Sequence, residues 1–506
     1  MDTNKRANDI ILKNTLLLYA RMLVTTIVSL YTSRIVLDAL GVEDFGIYNV
    51  IAGFVTLLAF INGSMVSATR RFLTFAIAQG DIQEQKITFC TSFYIHVLIG
   101  IIIFIVSIMV GFWFIHNKLV IPNERIETAY WVFFYSVINI LVLIITVPHN
   151  ALVIAYEKMG TFAYLSIFDV FFKLLIAYYL LNTSSDRLFI YALLMCISSV
   201  FIRVLYVIYC HVNFIDVCYQ LPKEKSKIRE MLNFAFWNVF SSFSTSGYQH
   251  GLNILLNMFF GPALNTARGI AVQVQSAINL LAINFQQAVN PQITKSYALE
   301  NMYRLKLLVY VSSKASFFLI FIIAVPFILE TENILSLWLV SVPDYTIIFT
   351  QLSLIITLID VTTNSITTAV LSSGKIKKYQ IGTSIILLSI LPAVYIALKN
   401  GLSPQYVYYI NIFTILLLSI FKLCASKRLT GISFLDFCKN VVLPIIYVVL
   451  FTIVLLCIGT YFIKLKVWFV NIIYSVLVVF ISILLVGMNG NERKFIMNKI
   501  KRYSYE

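Results

Sequence analysis

The sequence predicts an all-α polytopic membrane protein of about 14 transmembrane helices, arranged as two parallel six-helix lobes followed by two C-terminal helices. Three observations predict it. Of the 506 residues, 60% are hydrophobic and only 12% charged, with mean hydropathy +0.88, where a soluble chain of this length carries about 25% charged residues. Apolar runs of roughly 20 residues, enough to cross a bilayer, recur almost from end to end. The stretch 34–72 also has a weaker echo further on, LLNMFFGPALNTARGIAVQVQSAINLLAINFQQAVNPQITK. With Gly41 laid on Gly261, both copies read apolar helix, glycine-containing turn, then a helix carrying small and polar residues.

The runs fall near 13–36, 46–68, 89–114, 128–150, 160–181, 188–209, 233–256, 268–290, 307–328, 345–371, 380–398, 405–422, 441–461 and 468–488. The N-terminus lacks the hydrophobic core and cleavage site of a signal peptide, so the first run is expected to be retained. Loop charge tests the count. With the N-terminus cytoplasmic, 26 of the 38 lysines and arginines fall in cytoplasmic segments, 8 on the opposite side, and Arg21, Lys173, Arg203 and Lys314 within spans. That asymmetry is the positive-inside pattern and puts both termini in the cytoplasm. It also accounts for most of the net charge of +15 without nucleic acid as a partner.

The longest polar loop contains LPKEKSKIREML and halves the chain. The expected organisation is a six-helix lobe at 1–212, a basic cytoplasmic linker at 213–232, a second six-helix lobe at 233–428, and two further helices with a basic tail at 429–506. Each half begins and ends on the cytoplasmic side, so the repeats are parallel, and such carriers commonly bind their cargo between lobes.

Ionisable residues inside spans are costly and mark cavities or ion paths. Arg21 lies half-way along the first span; a cavity role competes with snorkelling or simple pairing. Arg34, near the outer end, could equally reach the interface. Lys173 follows Asp169 by one helical turn, the spacing of a self-neutralising pair, with ion coupling through Asp169 as the other reading. Arg203 and Lys314 interrupt apolar runs. Asp360, deep in the tenth span beside Thr362, Thr363, Asn364 and Thr368, is the most isolated membrane acid and the candidate for H+ or Na+ coupling. The seventh span offers Gln249, His250 and Asn253. The eighth offers Gln273, Gln275, Asn279, Asn284, Gln286 and Gln287, a polar face suited to a wet cleft, with helix–helix hydrogen bonding as the alternative.

Catalytic signatures are missing: the sequence has no HExxH, phosphate-binding loop, dinucleotide fingerprint or nucleophile elbow in a credible setting. The five histidines have no metal-ligand spacing, and the seven cysteines are scattered without a CxxC pair, which makes a disulfide or metal framework unexpected. No metal or cofactor is expected.

SRIVLDALGVEDFGIYNVI, SATRRF, PKEKSKIRE and NILSLWLVSVPDY together resemble the polysaccharide-exporter branch of the multidrug/oligosaccharidyl-lipid/polysaccharide (MOP) superfamily, the Wzx-type O-antigen and capsule flippases. The last motif departs from the usual form, with Val342-Pro343-Asp344-Tyr345 where a glycine is usual. The resemblance implies a flippase, not an enzyme, in the bacterial cytoplasmic (inner) membrane. Its cargo would be an undecaprenyl-diphosphate-linked oligosaccharide, moved to the periplasmic leaflet by alternating access. Membrane phospholipids and polysaccharide assembly proteins are the implied partners. On that reading Arg21, Arg34, Arg70, Arg203, Arg268 and Lys314 are the candidates for phosphate or sugar contact. The rivals are an ion-coupled multidrug or metabolite antiporter, a lipid II flippase of the same superfamily, and a membrane polysaccharide polymerase. The polymerase lacks its usual large external loop.

Overall fold

The computed structural model describes residues 2–57, 60–117, 122–215, 217–220, 224–260, 262–339, 342–463 and 468–488. Gly261 of the internal echo, Lys118, Lys223, Lys464, Lys466 and the basic tail beyond 488 lie outside the described residues. Within these residues all regular elements are helices, the form that satisfies each backbone group inside its own segment when lipid offers no partner. The chain divides into two compact units, 1–243 and 244–506.

The first unit contains α1 (Asp2–Leu57), α2 (Phe60–Gln79), α3 (Ile82–Asn117), α4 (Ile126–Ile145), α5 (Val147–Ala155), α6 (Met159–Leu181), α7 (Arg187–Asn213) and the start of α8 (Lys225–Phe260). The turn expected after the first span is a kink inside α1 at Gly41, with φ 75° and ψ 171°; a side chain there would strain the backbone. α5 continues α4 after a break at Thr146, whose hydroxyl bonds back to Val142 O at 2.8 Å, a bond that bends helices. Asp186 caps α7 by accepting from Leu188 N and Phe189 N. Val36, Ala39, Ile51, Ala129, Val132, Phe133 and Val137 pack α1 on α4, joined by Ala177 and Leu180 of α6. In contrast Ile101, Ile102, Ile105, Val106 and Met109 of α3 are exposed, an apolar flank suited to lipid.

The second unit takes the rest of α8, then α9 (Pro262–Ala298), α10 (Met302–Leu329), α11 (Thr331–Trp338), α12 (Thr346–Val361), α13 (Asn364–Ser372), α14 (Lys377–Leu388), α15 (Ile390–Lys399), α16 (Tyr406–Thr430), α17 (Phe434–Phe437), α18 (Leu443–Ile463) and α19 (Trp468–Ser482). Here too short helices are halves of broken spans. Thr362 bonds back to Ile359 O at 2.7 Å between α12 and α13, and Ser389 to Ile386 O at 2.7 Å between α14 and α15. The basic stretch expected as a linker leads directly into α8, and the division between units falls within that helix.

Among the described residues, 11 helices are long and apolar enough to cross a membrane. They match eleven of the fourteen expected spans. The other three are 46–68, of which residues 58 and 59 lie outside the described residues, and 233–256 and 268–290, carried by α8 and α9, whose polar content keeps those two below that mark.

One expectation is overturned. Cys90, at the start of α3, and Cys218, in the segment before α8, are disulfide-bonded across 128 positions with Cα atoms 5.7 Å apart. Neighbouring contacts hold the same segment: Tyr94 Oη donates to Tyr219 O at 2.8 Å, and Tyr219 Oη meets His149 Nε2 at 3.0 Å and His211 Nε2 at 3.1 Å. Such long-range proximity leaves no spacing signal in the sequence.

Candidate functional site

In the first unit the in-span cations gather where α1, α6 and α7 meet. Arg21 of α1 lays its guanidinium over the Phe162 ring of α6, 4.8 Å from the centroid, a cation–π contact. Arg203 of α7 lies over Tyr206, 5.8 Å away. Tyr206 is within electrostatic reach of Arg203, Arg21 and Asp169. Asp169 and Lys173, one turn apart on α6, form the expected pair at 2.7 Å, each about a quarter to a third exposed. The carboxylate is therefore already committed, and Arg203 Nε is enclosed with no hydrogen-bond partner. Lys173 and Arg203 both act on that one acid. A buried guanidinium without a counter-charge costs several kcal/mol, roughly, unless an anion completes it.

Arg34 and Arg70 do not join this group. Arg34 is exposed near the C-terminal end of α1's first segment, and Arg70 is half-buried on α2. Beside it, Arg71 stacks on Phe72 at 4.5 Å and reaches Glu230 of α8 at 3.9 Å. Lys227 pairs with Glu84, so the basic α8 start is tied to α2 and α3 by charge.

In the second unit three sequence candidates converge. Arg268 of α9 is 5% exposed; its Nε donates to Asn253 Oδ1, and its Nη2 to the backbone oxygen of Gln249 at 3.3 Å, both on α8. Tyr248 and Tyr408 lie within its electrostatic reach, and Tyr248 accepts from Asn411 Nδ2 at 2.7 Å. Among the described residues no carboxylate pairs with Arg268. Arg268, named from the sequence as a candidate for phosphate or sugar contact, is thus a buried residue. His250 and the Gln249 side chain are exposed.

Two of the six residues expected to form a wet face on the eighth span are engaged in helix–helix hydrogen bonds. Gln275 donates to Thr357 Oγ1 at 2.8 Å and Gln286 to Ser316 Oγ at 3.1 Å. Asn284 bonds its own helix at Leu280 O. Gln273 is exposed. Such polar contacts hold helices together in lipid, where the hydrophobic effect does not. Lys314 of α10 is 4% exposed within the same zone, where Ser365 Oγ donates to Ser312 Oγ at 2.8 Å.

Asp360 is not isolated, contrary to expectation. Lys422 of α16, the last residue of the expected span 405–422, donates to Asp360 Oδ1 at 3.2 Å and Thr363 Oγ1 at 3.3 Å. Sequence reasoning missed it because 422 stands at the edge of the apolar run, where only the α-helix's continuation to Thr430 reveals that it is buried.

The fold is that of solved transporters. A MOP superfamily transporter from Pyrococcus furiosus, described as having a binding pocket of reverse polarity that suggests a different function, matches with TM-score 0.68 and 12% identity over 84% of this chain and 96% of that one. MATE in its straight conformation matches with TM-score 0.72 and 13% identity over the same shares. An outward-facing multidrug resistance MATE family transporter of the MOP superfamily gives 0.69 and 13%, again over 84% and 96%. No protein-family model and no curated protein matches the chain. The likeness is one of fold: the chain is a multi-pass membrane protein with MOP-transporter architecture.

Proposed function

We propose that the chain is a flippase that moves an undecaprenyl-diphosphate-linked oligosaccharide, an O-antigen or capsule repeat unit or a relative of one, from the cytoplasmic to the periplasmic leaflet by alternating access. One observation carries the reading: Arg203 lies within electrostatic reach of Asp169, a carboxylate already paired with Lys173, and shares Tyr206 with Arg21. A diphosphate cannot cross hydrocarbon unaided, and guanidinium groups bind its oxygens in a matching fork. A pocket for cationic drugs would carry the opposite balance of charge. The reverse pocket polarity of the Pyrococcus transporter supports such an inversion within this fold.

The same reading puts the chain in the bacterial cytoplasmic membrane with both termini cytoplasmic, on the strength of its loop charges. Lipid-linked oligosaccharide, phospholipids and polysaccharide assembly proteins are its proposed partners. A multidrug or metabolite antiporter is the second reading, favoured by the multidrug transporter among the fold neighbours. Reconstitution separates them. Vesicles holding the chain should expose added lipid-linked oligosaccharide to an external glycan-modifying enzyme faster than empty vesicles; cargo that stays put while small organic cations are exported would reverse the ranking.

A further inference from the structure

The pair formed by Asp360 and Lys422 has the parts of an inorganic cation site with the cation already supplied. Asp360 closes α12, and the chain breaks at Thr362 and Thr363 before resuming as α13. Broken helices in membranes free oxygen atoms that bind monovalent cations. Here Asp360 Oδ1 and Thr363 Oγ1 face one point, and the Lys422 ammonium occupies it at 3.2 Å and 3.3 Å. The Lys422 side chain is only 11% exposed, whereas that of Asp360 is 41% exposed. The ammonium is thus enclosed while its carboxylate keeps an open flank. Around them, Tyr379 of α14, bonded to Thr367 at 2.8 Å, and Tyr248 of α8 are within electrostatic reach of Asp360.

We propose that Lys422 is the resident cation of the Asp360 site, so that the second unit binds no alkali cation there. A tethered ammonium is present at an effective concentration that dissolved sodium does not match, and its removal would leave a half-exposed acid free to take one. The inference rests on reading the chain as a membrane transporter and is independent of its cargo.

The test is thermal unfolding of the purified full chain in detergent, in sodium chloride against choline chloride at equal ionic strength. Wild type and Asp360→Asn should each melt alike in both salts. Lys422→Gln should gain a saturable rise in Tm with sodium of about 2–4 °C, lost in the Lys422→Gln/Asp360→Asn double variant. A sodium response in wild type that Asp360→Asn abolishes overturns the proposal, as does a folded Lys422→Gln without one. Should Lys422→Gln not fold, bound radioactive sodium on wild type and Asp360→Asn decides: equal background supports the proposal and uptake specific to wild type overturns it. A failed flipping assay would count against the cargo and leave this result standing.

Discussion

Arg125 meets Asp44 at 3.0 Å, joining the start of α4 to the chain just past the Gly41 kink. The same guanidinium reaches Asp186, the cap of α7, at 3.1 Å, and Arg187 Nη1 donates to Ala39 O at 2.9 Å. Two helices, α4 and α7, are thereby fixed to α1 around its kink. Asp44 is 8% exposed, so removing Arg125 would strip a buried acid of its salt-bridge partner. Arg125→Ala should lower stability by about 1–3 kcal/mol, read as a fall in Tm in detergent. An unchanged Tm would show the triad to be ornamental.

The kink itself makes a second prediction. With φ at 75°, Gly41→Ala should cost about 1–2 kcal/mol, although space for the methyl is open. Gly63→Ala, in a helix and equally open, is the control that should be neutral or mildly stabilising. Equal Tm values for the two variants would remove the argument from backbone strain.

Thiol counting tests the disulfide. Cys90 and Cys218 are bonded, and Cys196, Cys210, Cys424, Cys438 and Cys457 are free. Alkylation of the denatured, unreduced chain should label five of the seven cysteines, and prior reduction should raise that to seven. Seven labels without reductant would mean that the two sulfurs are held together only as thiols, the state a reducing compartment favours.

For transport, Arg203→Ala and Arg21→Ala should each slow cargo movement about tenfold, the loss of roughly 1.4 kcal/mol of anion binding in the rate-limiting state, with folded yield retained. Arg203→Lys should recover part of the rate, since charge remains while the fork is lost. Wild-type flipping by the alanine variants would sink the assignment of these residues to the cargo.

What the sequence reveals follows from the range of each signal. Apolar runs and loop charges are local, and they located the helices, including the polar ones in 233–290. The Asp169–Lys173 pair was legible because its spacing is one helical turn. Asp360 and Lys422 stand 62 positions apart, and no local pattern distinguishes a lysine at the end of a span from one in the following loop. Arg268 was legible as a candidate for cargo contact, but its bonds to Asn253 and Gln249 of the preceding helix were not. The charge balance of the first unit was visible as a list of cations; that Arg21 and Arg203 share Tyr206 was not.

The low apolarity of α8 and α9 bears on how the chain is made. A segment enters the bilayer from the insertion machinery largely on its own hydrophobicity, and neither helix meets the mark that their neighbours do. Their polar groups are satisfied late, by α10, α12, α13 and α16: Gln286 by Ser316, Gln275 by Thr357, Asn290 by Thr368 and Tyr248 by Asn411. Biogenesis of the second half is therefore a cooperative event. Truncation after Ala298 should leave α8 and α9 poorly inserted in a glycosylation-mapping assay, and extension through α13 should restore them; efficient insertion of the truncated form would contradict it. The polar contacts that join these helices are also the reason this part of the chain must wait for its partners to be synthesised.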